Sequence, residues 1–168
     1  MAMTETEFWK IIDESVSASD GNQKRQKEFV HSTLTALGVD ETFSFYRHYS
    51  DANRRAYRYD LWGAAYVING GCSDDGFMDF RDWLVSRGKR EYDLAMMNPD
   101  SLGDVLKRED RRQCGFEGFG YIAQRVWESF TGELMPVDSP HPKKPLGYDW
   151  NEDELPKLYP KLWALFGG

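Results

Sequence analysis

Histidine and cysteine are scarce in this chain, with three His and two Cys in 168 residues. A Cys/His metal site places such residues at fixed short spacings, and no such arrangement occurs. The sequence also lacks a Walker A run, a GxGxxG fingerprint and a GxSxG elbow, so the commonest nucleotide-binding and hydrolase signatures are missing. No apolar run approaches the roughly 20 residues that a membrane-spanning helix needs. The first seven residues have neither the basic nor the apolar region of a signal peptide, which makes the cytoplasm the expected compartment. There Cys72 and Cys114 are expected to be free thiols, not bridged to each other. Positive charge is short as well: 21 Lys and Arg face 28 Asp and Glu, a formal net charge of -7. That balance argues against nucleic acid, whose affinity comes from cations meeting phosphates. The basic cluster Lys107, Arg108, Arg111 and Arg112 is interrupted by Glu109 and Asp110 and reads as a self-paired, solvated face.

Aromatic side chains, by contrast, are plentiful: 6 Trp, 9 Tyr and 10 Phe. They supply a heavy core for a chain of this length. Apolar residues recur with helical spacing nearly throughout, and no alternating strand pattern is evident. Thr4-x-x-Glu7 is a capping box ahead of Phe8, Ile11, Ile12 and Val16 on one helical face. A second stripe, Phe29, Val30, Thr33, Leu34 and Leu37, closes at Gly38. Asp40 is the expected N-cap of a third helix bearing Phe43, Tyr46 and Tyr49. A fourth helix, 61–68, is apolar nearly all round and should be central. Ser73 or Asp74 caps a fifth, with Phe77, Phe80, Leu84 and Val85 inward, and a sixth runs over 89–97 until Asn98–Pro99 stops it. A short helix is expected at 101–107 and a stronger one at 118–130. The fold class is therefore all-α: one compact multi-helix domain with a helical core over 4–131. A Pro-rich surface loop over 132–149 then leads to a C-terminal docking segment over 150–166. Pro156 and Pro160 should split that segment into two short turns.

Residues 57–77, YRYDLWGAAYVINGGCSDDGF, are the most distinctive string. A loop of two glycines, a cysteine and paired aspartates leads into a helix N-terminus, where backbone amides can hold an anion or activate a thiol. Cys72 is thus a candidate nucleophile with His31 or His48 as base, and Asp74 and Asp75 are candidate cation ligands. The plainer reading makes Gly70–Gly71 a tight turn, Ser73 or Asp74 a cap and Cys72 a small buried residue. Asp60 opens the fourth helix and Arg81 lies among Phe80, Trp83 and Leu84, so an Asp60–Arg81 or Asp74–Arg81 pair is expected. A sharper alternative gathers Arg54, Arg55, Arg58 and Arg81 into an anion site. His141 falls in the Pro-rich loop and is expected to be exposed. Glu117 among Gly115, Gly118 and Gly120 reads as a flexible helix entrance with close packing.

Extended to Gly88, this string resembles the signature of a bacterial family known as domain of unknown function 4240. The resemblance covers residues 8–166, is strongest over 60–88, and includes Asp60 and Arg81. It implies a lineage whose members are small stand-alone proteins or modules attached to regulator-like chains, and it supplies no reaction. The favoured expectation is a non-catalytic protein-interaction or regulatory module, monomeric or weakly dimeric, with no cofactor, metal, nucleic acid or membrane. Its partner is expected to be another bacterial protein with a basic surface. The alternative is a small enzyme or anionic-ligand-binding protein with its site at Asp60, Trp62, Cys72, Asp74, Asp75 and Arg81.

Overall fold

A computed structural model describes residues 2–136 and 140–168. Thr4 starts α1 (Glu5–Ser19) with a complete capping box: its hydroxyl accepts from Glu7 N, and the Glu7 carboxylate accepts from Thr4 N at 2.7 Å. Phe8, Trp9, Ile11 and Ile12 are buried, whereas Val16 faces solvent. Asn22 caps α2 (Gln23–Leu37), from which buried Gln26 donates to Ser15 Oγ and to the Ser86 carbonyl. Those two bonds fix α1 and α2 against the end of α5. α3 (Val39–Arg55) begins one residue earlier than its expected cap at Asp40. Gly38, at φ +98°, reverses the chain abruptly and serves as N-cap itself, which leaves Asp40 in the first turn.

α4 (Tyr59–Asn69) buries Leu61, Gly63, Ala64, Ala65, Val67 and Ile68, as a central helix should. Gly70 ends it in the left-handed region at φ +67°, and Ser73 caps α5 (Asp74–Ser86). From Phe80 to Ser86 every residue of α5 is buried, including Arg81 and Asp82. α6 (Lys89–Met97) stops at Asn98. In place of a helix over 101–107, a 3-10 turn spans Pro99–Asp104, because Asn98 caps at that point and Pro99 fixes the first position. A later 3-10 turn, Phe119–Tyr121, leads into α7 (Ile122–Thr131), whose Phe130 is exposed.

Of the Pro-rich stretch, residues 137–139 lie outside the described residues. Beyond them Pro145 is buried and Leu146 forms an isolated parallel bridge with Arg58. Tyr59 N donates to its carbonyl and its own N–H donates to the Tyr57 carbonyl, both at 3.0 Å. Among the described residues this bridge is the extent of β pairing, and the fold is all-α.

α8 (Leu155–Leu158) leads into α9 (Pro160–Phe166), which docks on α4 and the Pro99–Asp104 turn. Tyr159 donates its hydroxyl to the Asp60 carbonyl at 2.5 Å, over Gly63, where any Cβ would collide with the ring. Asp100 supplies the N-terminal cap that α9 lacks from its own sequence: its carboxylate accepts from Lys161 N at 3.1 Å and Leu162 N at 2.9 Å. Leu162 and Phe166 join the same buried cluster as Met3 and Phe8. Asp100→Ala is expected to destabilise by about 1–3 kcal/mol, since two amides, the buried one of Leu162 and the half-buried one of Lys161, lose a charged acceptor. Asp100→Asn, which keeps one acceptor oxygen, should lose less. Urea denaturation of both variants checks the ranking, and an alanine variant within 0.5 kcal/mol of the parent, roughly the level of neutral surface changes, defeats it.

Candidate functional site

The start of α4, with Tyr57 just before it, and the start of α5 bring three rings together. Trp62 lies on Phe77 with centroids 5.0 Å apart and planes at 17°, and Tyr57 lies beside both, 5.9 Å from Phe77 and 6.5 Å from Trp62. Trp62 also donates its indole N–H to the Cys72 carbonyl at 2.9 Å, which pins the turn to α4. Tyr66, on the same helix, turns outward onto Trp150 and takes no part in this stack. Arg81 is 2 % exposed, and its guanidinium lies 4.4 Å from the Tyr57 centroid and 4.9 Å from that of Phe77. Such ring faces attract a desolvated cation. Its Nε donates to the Phe77 carbonyl at 3.3 Å, and one terminal nitrogen meets His141 Nε2 at 3.2 Å. A guanidinium only donates and a carbonyl only accepts, so Nε2 is the acceptor and Nδ1–H points to the Pro142 carbonyl, 2.8 Å away.

The expected carboxylate partners of Arg81 are elsewhere. Asp60 forms a two-pronged pair with Arg58, at 2.9 and 2.5 Å, because the residue before the helix lies closer than one on the next helix. Asp74 accepts from Tyr57 Oη at 3.3 Å. Among the described residues no carboxylate lies within 4 Å of Arg81. Burial draws its guanidinium below the ordinary range while it remains a cation. The arginine constellation is likewise dispersed. Arg55 pairs with Asp51 at 3.1 Å and Glu5 at 3.4 Å, and Arg54 donates to Ser50 Oγ at 2.9 Å.

Cys72 and Cys114 are both free. Burial, reinforced by Asp79, pushes the Cys72 thiol up to about 11, which keeps it protonated at neutral pH and a poor nucleophile. His48 bonds the Met3 carbonyl and His31 is exposed on α2, so neither is shown bonded to that thiol. Asp75 lies on the outer face of α5. Among the described residues no group of three or more His, Cys, Asp or Glu side chains converges as metal ligands would.

The outer face of α5 does border a cleft of about 440 Å³. Its floor is α3, which contributes Tyr46, Tyr49 and Asn53, and its far wall is the 117–121 turn. Asp82 is 6 % exposed at the base of this cleft, where it accepts from Tyr49 Oη, from Asn53 Nδ2 at 2.9 Å and from Gly120 N. Burial outweighs these bonds and raises its carboxyl to about 6. A Cβ on Gly120 would collide with the Tyr49 hydroxyl, so the glycine is what admits this contact. Along the rim, burial and the neighbouring Glu117 and Asp75 raise the Asp79 carboxyl.

Residues 3–129 match a family described as proteins of unknown function, DUF4240. The chain belongs to that family. The match includes Asp60, Trp62, Cys72, Asp74, Asp75 and Arg81, and it ends well before the residue 166 that the sequence resemblance reaches. The docking segment with α8 and α9 therefore lies beyond the matched DUF4240 stretch, as does His141 on Arg81. No curated protein and no solved structure matches the chain. Among the described residues no helix is long and apolar enough to cross a membrane.

Sequence reasoning gathered Asp60, Trp62, Cys72, Asp74, Asp75 and Arg81. In the structure Trp62 bonds the Cys72 carbonyl, Asp74 and Arg81 both meet Tyr57, Asp60 turns to Arg58 and Asp75 faces the cleft. Sequence reasoning missed Tyr49, Asn53, Asp82 and Gly120. The available signal was the i, i+4 pair Tyr49/Asn53 facing a helix whose Arg81–Asp82 dipeptide interrupts an otherwise apolar run.

Proposed function

We propose that this DUF4240 protein is a non-catalytic interaction module, regulatory in effect, for a protein partner with a basic surface. The observation that carries the reading is the cleft beside α5. Asp75, Asp79 and Glu117 line it, and among the described residues none of the three has a cation within 4 Å. Unpaired carboxylates beside exposed tyrosine offer steering at long range and an aromatic anchor at short range. The overall charge of -7 acts in the same direction. Two free thiols fit a reducing compartment, so the cytoplasm is the proposed site of action. The rival reading, an enzyme or anion receptor at Asp60, Cys72, Asp74, Asp75 and Arg81, has less support. Asp60 is neutralised by Arg58, the Cys72 thiol is held protonated, and Arg81 is closed in by two rings and an imidazole.

Affinity capture from lysate of the source cells, followed by calorimetry with each purified candidate, tests the proposal. The expected partner is basic, binds the purified protein at a fixed stoichiometry, and weakens as salt rises from 50 to 500 mM, because screening shortens to a few ångströms over that range. Failure of every purified candidate to bind, or binding that salt leaves unchanged, refutes it.

A further inference from the structure

We infer that the extended link between α3 and α4 is a peptide-receiving edge, occupied in the free chain by its own segment 141–150 and taken over by an extended segment of the partner. The inference rests on the interaction reading above and adds the contact through which the partner enters. α3 ends at Arg55 and α4 begins at Tyr59, with Arg58 extended before it at φ −134° and ψ 145°. The Tyr57 carbonyl and the Tyr59 N–H have no partner within either helix and need one from elsewhere. Leu146 supplies both, in a parallel bridge with Arg58, at 3.0 Å each. The Trp150 indole adds a bond to the Tyr59 carbonyl at 2.8 Å. Main-chain pairing of this kind reads extended shape, and side-chain sockets beside it choose the segment.

Two sockets flank the edge. One receives Pro145, which is buried. At the other, His141 lies against the Tyr57 ring, 4.6 Å between centroids, and accepts from Arg81. Among the described residues two acceptors meet the Arg81 guanidinium, the Phe77 carbonyl and His141, fewer than its N–H donors. A side chain more than nine-tenths buried thus keeps donors to spare beside His141. An incoming segment must therefore place an acceptor side chain there and a proline or small apolar residue in the Pro145 socket. The resident segment covers the edge with little apolar burial, since Leu146 is 66 % exposed and Tyr148 95 % exposed. A few surface bonds hold it, which puts it at the low-stability end of the fold. It is also basic in an acidic chain: from 140 to 148 its fixed charges are Lys143 and Lys144, both exposed. In charge it stands in for the basic partner proposed above. A partner already drawn near by charge presents its own segment at high local concentration, and exchange of a few bonds completes the takeover.

The test is an amide NMR titration of the full chain with an acetylated, amidated peptide that has the sequence of residues 140–150. Two variants loosen the resident segment. Leu146→Pro removes the N–H that bonds the Tyr57 carbonyl, and His141→Ala removes an acceptor from Arg81. Circular dichroism should show the helices of both unchanged. Each variant should speed hydrogen exchange at the Tyr59 amide. Each should also bind the peptide about ten-fold tighter than the parent does, because apparent affinity rises with the fraction of time the site is free. A peptide carrying His141→Ala and a scrambled peptide should both bind at least five-fold more weakly than the native sequence. The inference is overturned by no saturable shift at Tyr59 in either variant, by affinities equal to the parent's in both, or by a scrambled peptide that binds as tightly. A basic partner that binds the parent and both variants equally leaves the interaction reading standing and removes this one.

Discussion

Phe77→Ala should lower stability by about 3–5 kcal/mol, the range for a fully buried large aromatic that leaves a cavity. Phe77 is wholly buried and stands at the centre of a stack, touching Trp62, Tyr57 and Phe80 with near-parallel planes at 5.0, 5.9 and 6.2 Å. It also supplies one of the two ring faces against which the Arg81 guanidinium rests. Truncation therefore opens a void and leaves a buried cation with half its aromatic shell, two effects of the same sign. Trp62→Ala should fall toward the lower end of that range, because Trp62 is only partly buried. Arg81→Met gives the informative contrast. It keeps the length of the stem while removing a charge that no carboxylate contacts, so it should cost under about 1.5 kcal/mol. Guanidinium denaturation of the three variants checks the order Phe77→Ala, Trp62→Ala, Arg81→Met. A loss below 1.5 kcal/mol for Phe77→Ala, well under the range for buried aromatics, removes the stack from the centre of the stability argument.

That ranking also shows what the sequence could reveal. Capping and stopping signals were legible because they act over three or four residues: Thr4 with Glu7, Asn98–Pro99 and the Gly70–Gly71 turn all behave as local chemistry dictates. Long-range choices were not. Whether Asp60 turns to Arg58 or to Arg81 depends on how α4 and α5 cross, and periodicity carries no information about crossing. On α5 the sequence reading placed Arg81 among Phe80, Trp83 and Leu84 with a carboxylate partner, and it gave no role to Asp82 on the adjoining edge. In the fold that edge is covered by α3, the 117–121 turn and His141, so the helix is buried on all sides from 80 to 86. Asp100 illustrates the same limit, since it caps a helix that starts 60 residues later.

Acidification should strengthen the contribution of Asp82 to stability, opposite to the behaviour of an ordinary paired carboxylate. In the unfolded chain this carboxyl titrates near its ordinary 3.8, whereas in the fold burial raises it to about 6, against the lowering effect of bonds from Tyr49, Gly120 and Asn53. The folded state thus binds the proton more tightly. The associated stabilisation is complete below about pH 4 and is lost as pH rises through 6. Over that window it is worth on the order of 3 kcal/mol. Asp82→Asn removes the titration with almost no change of size and retains an acceptor for the Tyr49 hydroxyl. Urea denaturation of parent and variant at pH 4, 5, 6 and 7 isolates the effect, because carboxylates such as Glu7, which is held below its ordinary range by its bonds to Thr4, titrate identically in both proteins. The parent should gain on the variant steadily from pH 7 to pH 4. A difference independent of pH would show that Asp82 titrates alike in both states. A parent that loses ground on acidification would mean that the three donors, rather than burial, govern this carboxylate and keep it ionised at the base of the cleft.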